Sequence, residues 1–313
     1  MELMRNEKPP LRPNAGRLGR RLMQRQNTAS ILLVTALALA AGALGQGSTS
    51  PQNTDVPSIL ERMQSSDLHT QKLAFDDLMA YVESQAPANT SSSQTGEPRE
   101  ALQRFLAKHP DQADPIKLQL IALLSEENNY FIANKNPPPD PYTDDDISEH
   151  YAELIDTVAS LNDERAIPAL VGAMTTGGMA QRGVLKYGDQ ALALVLAQLS
   201  SPDALVRASA LKMATAILQA EKDPASHTQM IALLESALKD PGAVVRTQAI
   251  WEIDCLPDRQ SFVPELQQIA KTDPDKLPGR ADDDGDGDAF YPVRYDARRA
   301  LRHIQNNAAC GAQ

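Results

Sequence analysis

Aromatic residues are scarce in this chain, at 4% of 313 positions with a single tryptophan. Sheets concentrate aromatic and β-branched side chains, so the shortage disfavours them, and the Ala- and Leu-rich apolar set that remains suits closely stacked helices. Cysteine is limited to Cys255 and Cys310. Neither follows the apolar run near the N-terminus, where a lipid-anchored precursor carries one, so a lipoprotein is disfavoured. The sequence also lacks the marks of catalysis. It has no GxSxG elbow, phosphate loop or dinucleotide turn, and its five histidines are scattered, with no HExxH or Cys/His cluster. No enzyme is expected from these residues.

Positive charge is confined to the start of the chain. Residues 1 to 45 hold seven basic and two acidic side chains, leaving 23 basic against 39 acidic in the remainder, a net of −16. No Lys/Arg-rich stretch survives there to displace counterions from a duplex, which excludes nucleic acid as a partner and favours basic proteins, polycations or metal ions. The basic stretch precedes an apolar run over 31 to 43 and ends in Ala43-Leu44-Gly45, the small-residue pattern of a secretory signal cut after Gly45. The alternative is a membrane anchor, but 29 to 45 makes only about 25 Å of helix against a hydrocarbon core of about 30 Å. Arg20-Arg21 hints at twin-arginine export, and Met23 offers a second start with a shorter basic region. We therefore read 1 to 45 as a signal peptide, 46 to 56 as a flexible spacer, and the mature chain as periplasmic or secreted.

Beyond the spacer the apolar pattern is helical and repeats. Leu192, Val195, Leu196 and Leu199 form one stripe, Ser201-Pro202-Asp203 a turn, and Val206, Ala210, Met213 and Ile217 a second stripe. Ile231, Leu234 and Leu238, then Asp240-Pro241-Gly242, then Val245, Ala249 and Ile253 repeat the unit 39 residues later. A third unit opens with Phe262, Val263, Leu266 and Ile269, and its second helix begins at Val293-Arg294, displaced 48 residues by an insertion. A turn Asp followed by Val-Arg-x-x-Ala resembles HEAT repeats, including the HEAT-like repeats of phycobilin lyases. The resemblance implies an all-α, right-handed solenoid of five to six hairpins over 57 to 306, regular across 165 to 305 and degenerate before it. It also implies that Asp203, Asp240, Arg207 and Arg246, with Arg294 in the last copy, tie neighbouring repeats together. Gln71 stands where the Arg would be in the first hairpin. Loops are expected at 86 to 97, 125 to 146 and 275 to 290, with a tail from 307 to 313.

Two features carry possible chemistry. Asp282, Asp284, Asp286 and Asp288, with Gly287, match the alternating carboxylates of a calcium loop, while Val293 replaces the bidentate Glu at its twelfth position; a solvated acidic loop is the alternative. Cys255 and Cys310 follow the second helices of consecutive repeats, which leaves a disulfide or a buried free thiol open. Asp146 and His150 share the i, i+4 spacing of a metal pair, but 143 to 146 also suits a helix cap. The functional expectation is an exported, non-catalytic scaffold for a protein partner. A calcium-ordered structural module is the first alternative, and a lyase-type subunit, implied only by the resemblance, is the second.

Overall fold

The computed structural model describes residues 55–85, 98–130, 144–278 and 289–309. All lie in one compact unit, Pro51–Gln313. The expected signal peptide, the 86 to 97 loop, the Asp-rich run and Cys310 lie outside the described residues. Among those described, the fold is helical apart from one pair of two-residue strands. In chain order the helices are α1 Val56–Arg62, α2 Leu68–Ser84, α3 Pro98–Lys108, α4 Pro110–Asn128, α5 Asp144–Ser160, α6 Ile167–Gly172 and α7 Gly178–Tyr187. They continue with α8 Asp189–Ala197, α9 Ala204–Glu221, α10 Pro224–Ala237, α11 Ala243–Asp254, α12 Val263–Thr272 and α13 Pro292–Gln305. No described helix is long and apolar enough to cross a membrane.

Local chemistry sets the helix starts. Asp55, Asp67, Asp203 and Asp223 each accept a hydrogen bond from a backbone N–H of the first turn they precede, satisfying donors that have no partner within the helix. Proline enters α1, α4, α6, α10, α12 and α13 in the first turn, where its missing N–H costs nothing. The expected loop at 125 to 146 is shorter than its composition suggests. Residues 125 to 128 complete α4 because Glu127 and Asn128 are buried with partners, and 144 to 146 already form the first turn of α5. Within the 275 to 290 insertion, β1 (Leu277–Pro278) pairs antiparallel with β2 (Ala289–Phe290), closing the insertion at its base.

The helices pack as consecutive hairpins, α6 on α7, α8 on α9, α10 on α11 and α12 on α13. Each second helix also packs on the next: α5 on α7, α7 on α9, α9 on α11, and α11 on α13. The core follows that order. One buried cluster runs from Val56 to Ile217 and another from Ala208 to Ala300, and α9 feeds both, with Met213, Ala214 and Ile217 on one side and Leu211 and Leu218 on the other. A helix with two apolar sides has little net amphipathicity, so it is read from its repeat more easily than from a single stripe. In α2 Leu73 is exposed, and Phe75 fills the core beside Ala74 and Leu78.

Candidate functional site

The side chains singled out by the repeat converge where one hairpin meets the next. Arg207, in the first turn of α9, donates from Nε and Nη2 to Asp240 at 2.9 and 2.7 Å, and from Nη1 to the carbonyl of Ser201 at 2.8 Å. Thirty-nine residues on, Arg246 does the same: Nε and Nη2 reach Asp273 at 2.7 and 3.0 Å, and Nη1 reaches the carbonyl of Asp240 at 2.7 Å. Arg246 also pairs with Asp275. Arg294 closes the series by donating from Nε to the carbonyl of Asp273 at 2.7 Å. Arg207 and Arg246 thus each tie their own turn to the following one, using the planar fork that suits a carboxylate, while Arg294 holds its own turn through a carbonyl. Gln71 and Gln181 hold the same place in degenerate hairpins, donating to the carbonyls of Ser65 at 2.6 Å and Met174 at 3.3 Å.

Electrostatics follow the geometry. Burial pushes the Asp240 carboxyl up, but the Arg207 guanidinium and the Gly242 N–H more than offset it and hold the group below the ordinary carboxylate range. Hydrogen bonds donated to Asp273 hold the Arg246 guanidinium above its usual value against the opposing effect of burial. Asp203 does not share the inter-repeat role. It accepts from the N–H of Leu205 at 2.8 Å and caps its own helix, because aligning the turns places Ser201, not Asp203, opposite Asp240 and Asp273. Asp273 was missed in the sequence. Its Asp-Pro pair repeats Asp240-Pro241, and the insertion that displaces α13 hides the register.

Glycine serves close approach at two points. A Cβ on Gly242 would lie 2.8 Å from Cβ of Ala204 and 3.1 Å from Nη2 of Arg207, so the Arg207 link requires a bare backbone there. A Cβ on Gly183 would lie 2.9 Å from Cβ of Ala159, which lets α7 seat against α5. The glycine that weakens the helical pattern of α7 is what brings its neighbour close.

Two polar clusters lie apart from this series. Buried Glu127 and His150 meet at 2.9 Å (Oε1 to Nε2), beneath an edge-on contact between Phe75 and the imidazole. Beside them Tyr151 donates to Asn128, which donates to the carbonyl of Ala169 at 2.7 Å. Burial, followed by the negative charge of Glu127, pushes the Tyr151 hydroxyl up, so it stays a donor. The cluster joins α4, α5 and α6; the Asp146 side chain proposed to accompany His150 lies outside the described residues. At the other end, His303 meets Asp254 at 2.7 Å, and Arg259 donates to the carbonyls of Asp254 and Ala308 at 2.5 and 2.6 Å. Cys255, adjacent to Asp254, is disulfide-bonded. These contacts fasten the last helix to α11.

His227 and Asp258, 3.0 Å apart, flank a 530 Å³ cleft lined by Leu218, Met230 and Pro257. Among the described residues no three His, Cys, Asp or Glu side chains converge as metal ligands. The calcium candidates Asp282, Asp284, Asp286 and Asp288 lie outside those residues.

No protein-family sequence model matches the chain. No curated protein sequence matches it. Among solved structures it is similar to the crystal structure of an engineered protein, at 15% identity and a TM-score of 0.32, over 81% of this chain and 98% of that one. A superposition this loose carries no argument about fold or function.

Proposed function

We propose that this chain is a non-catalytic scaffold, built as a right-handed solenoid of HEAT-like hairpins and exported to bind another protein. The observation that carries the reading is the Arg207–Asp240, Arg246–Asp273 series, in which one contact recurs across successive turns. Repeated links of this kind hold hairpins at a constant offset, and a constant offset generates an extended surface instead of a single pocket. Export rests on the basic-then-apolar N-terminal pattern, and the preference for a protein partner over nucleic acid rests on the lack of a Lys/Arg-rich stretch in the acidic remainder of the chain.

The test is affinity capture of the tagged chain from an envelope fraction, with partners identified by mass spectrometry in calcium and in chelator. A stoichiometric partner in both conditions supports the scaffold. A partner seen only in calcium would make the Asp-rich insertion its switch, and none in either would defeat the reading. The calcium-ordered module is the second reading because the alternating carboxylates of Asp282 to Asp288 fall within an insertion that β1 and β2 close at its base.

A further inference from the structure

The ladder fixes not only which helices are neighbours but how they are aligned. Arg207, Arg246 and Arg294 all sit in the first turn of their helices and all reach the turn region between hairpins, so α9, α11 and α13 start at one edge and run in the same direction. Gln181 places α7 in the same register. Side chains at equivalent positions on these helices therefore form rows across the layer, about 10 Å from one helix to the next.

Two such rows are informative. The position two residues before the ladder side chain is apolar throughout: Met179, Leu205, Val244 and Pro292. Burial does not explain it, since Met179, Leu205 and Val244 are 38, 60 and 37% exposed. Seven residues further, on the same side of each helix, stand Lys186, Lys212, Trp251 and Arg299. Lys186 and Lys212 are exposed, and Trp251 is 44% exposed although it is the chain's only tryptophan. Carboxylates nearby sit lower: Asp296, 3.6 Å from Arg299, is buried, and Glu252 is half-buried. An apolar row and a basic row thus run parallel, about 10 Å apart along the helix axes, on a chain whose net charge is −11.

We infer that this face is the docking surface of the scaffold and that it takes an acidic amphipathic α-helix laid across α7, α9, α11 and α13. The inference rests on the scaffold reading. Charge selects the partner: a local basic row on an acidic protein attracts an acidic segment and repels basic ones. Dimensions select its form. A helix is about 10–12 Å wide, close to the separation of the two rows, and about 20 residues of it cover the roughly 30 Å spanned by four neighbouring helices. Its leucines meet the Met179 to Pro292 row and its glutamates meet Lys186, Lys212 and Arg299, while Trp251 breaks the basic row with an amphipathic ring.

Trp251 provides the measurement. The full chain is titrated with a synthetic 20-residue peptide, free of tryptophan, carrying leucine on one helical face and glutamate on the other. The same peptide with lysine for glutamate is titrated in parallel, and tryptophan emission is followed. The expected result is a saturable blue shift with the glutamate peptide, with the lysine peptide binding at least about tenfold more weakly. Lys212→Glu with Arg299→Glu should weaken the glutamate peptide by about tenfold or more, with far-UV circular dichroism unchanged. Equal titration by both peptides, or no shift with the glutamate peptide, overturns the inference. A shift produced by raising protein concentration alone overturns it in favour of a second copy as occupant. An envelope partner captured equally by wild type and by Leu205→Asp overturns this face while leaving the scaffold reading intact.

Discussion

Replacing Arg246 with Ala should be the most damaging single change in the regular part of the chain. Its side chain is 8% exposed and that of Asp273 is 3% exposed, so the substitution leaves a carboxylate inside the protein without the two guanidinium bonds of 2.7 and 3.0 Å. Breaking one side of a buried ion pair costs about 3–5 kcal/mol, most of it the penalty of the stranded charge. The neighbouring Arg207–Asp240 pair is 12 and 14% exposed, so Arg207→Ala should cost less. Because contacts run between nearest neighbours, the loss should be local, and the assay is amide hydrogen exchange resolved by helix with urea unfolding alongside. Exchange should rise in α11, α12 and α13 and stay near wild type in α1 to α4. Arg246→Met combined with Asp273→Asn removes both charges and should recover most of the loss. A cost for Arg246→Ala below about 1 kcal/mol, or faster exchange spread evenly over all helices, would refute the structural role given to the pair.

Gly242→Ala should cost about 1–3 kcal/mol in urea unfolding, because its Cβ would overlap Ala204 at 2.8 Å and push against Arg207. Acid should remove stability in a defined window: hydrogen bonds from Arg165 hold the Asp163 carboxyl at about 2, and that of Asp240 also lies below its ordinary value. Folding favours the ionised form of both, so their contribution is complete above the ordinary value of 3.8 and is lost as pH falls toward 2; Asp163→Asn should flatten part of that limb in a pH series of urea midpoints. Thiol titration in denaturant without reductant should find no free thiol, and two after reduction, because Cys255 is already bonded and Cys310 is the only other cysteine. Calcium should raise the melting temperature, and Asp284→Asn with Asp286→Asn should abolish the gain; no shift at millimolar calcium would count against the loop as a calcium site.

Legibility in the sequence tracked how many physical demands a residue meets at once. Val245, Arg246 and Ala249 meet in their own hairpin the core and turn demands that Val206, Arg207 and Ala210 meet in theirs, so the 39-residue offset exposes them together. Asp273 escaped because the insertion after it changed the offset of its helix, although its local Asp-Pro pair was intact. The end of α4 escaped for a different reason. Glu127 and Asn128 look like loop residues by composition, and only their distant partners, His150, Tyr151 and the carbonyl of Ala169, explain their burial. No local pattern encodes a bond across 41 residues. Gly183 illustrates the limit of propensity: it weakens an isolated helix, yet the approach of Ala159 leaves no room for another side chain.

The insertion before α13 is placed where it least disturbs the stack. Asp273 is held from one side by Arg246 through its carboxylate and from the other by Arg294 through its carbonyl, so the chain is anchored before the extra residues begin and again just after they end. The Leu277–Phe290 and Pro278–Ala289 pairs bring the two strands of the insertion together next to that anchor. Closing a loop costs only about 0.6 kcal/mol for each doubling of its length, so once the ends are pinned the segment between them is nearly unconstrained in length and composition. The opposite edge of α13 is secured independently by His303 on Asp254 and Arg259 on Ala308. Both edges of α13 are therefore fixed by contacts outside the sequence between Pro278 and Ala289, which carries five aspartates. Deleting that segment while keeping the strand pair should therefore leave the helices folded, whereas Arg246→Ala, which strands the Asp273 carboxylate beside it, should loosen α11 to α13.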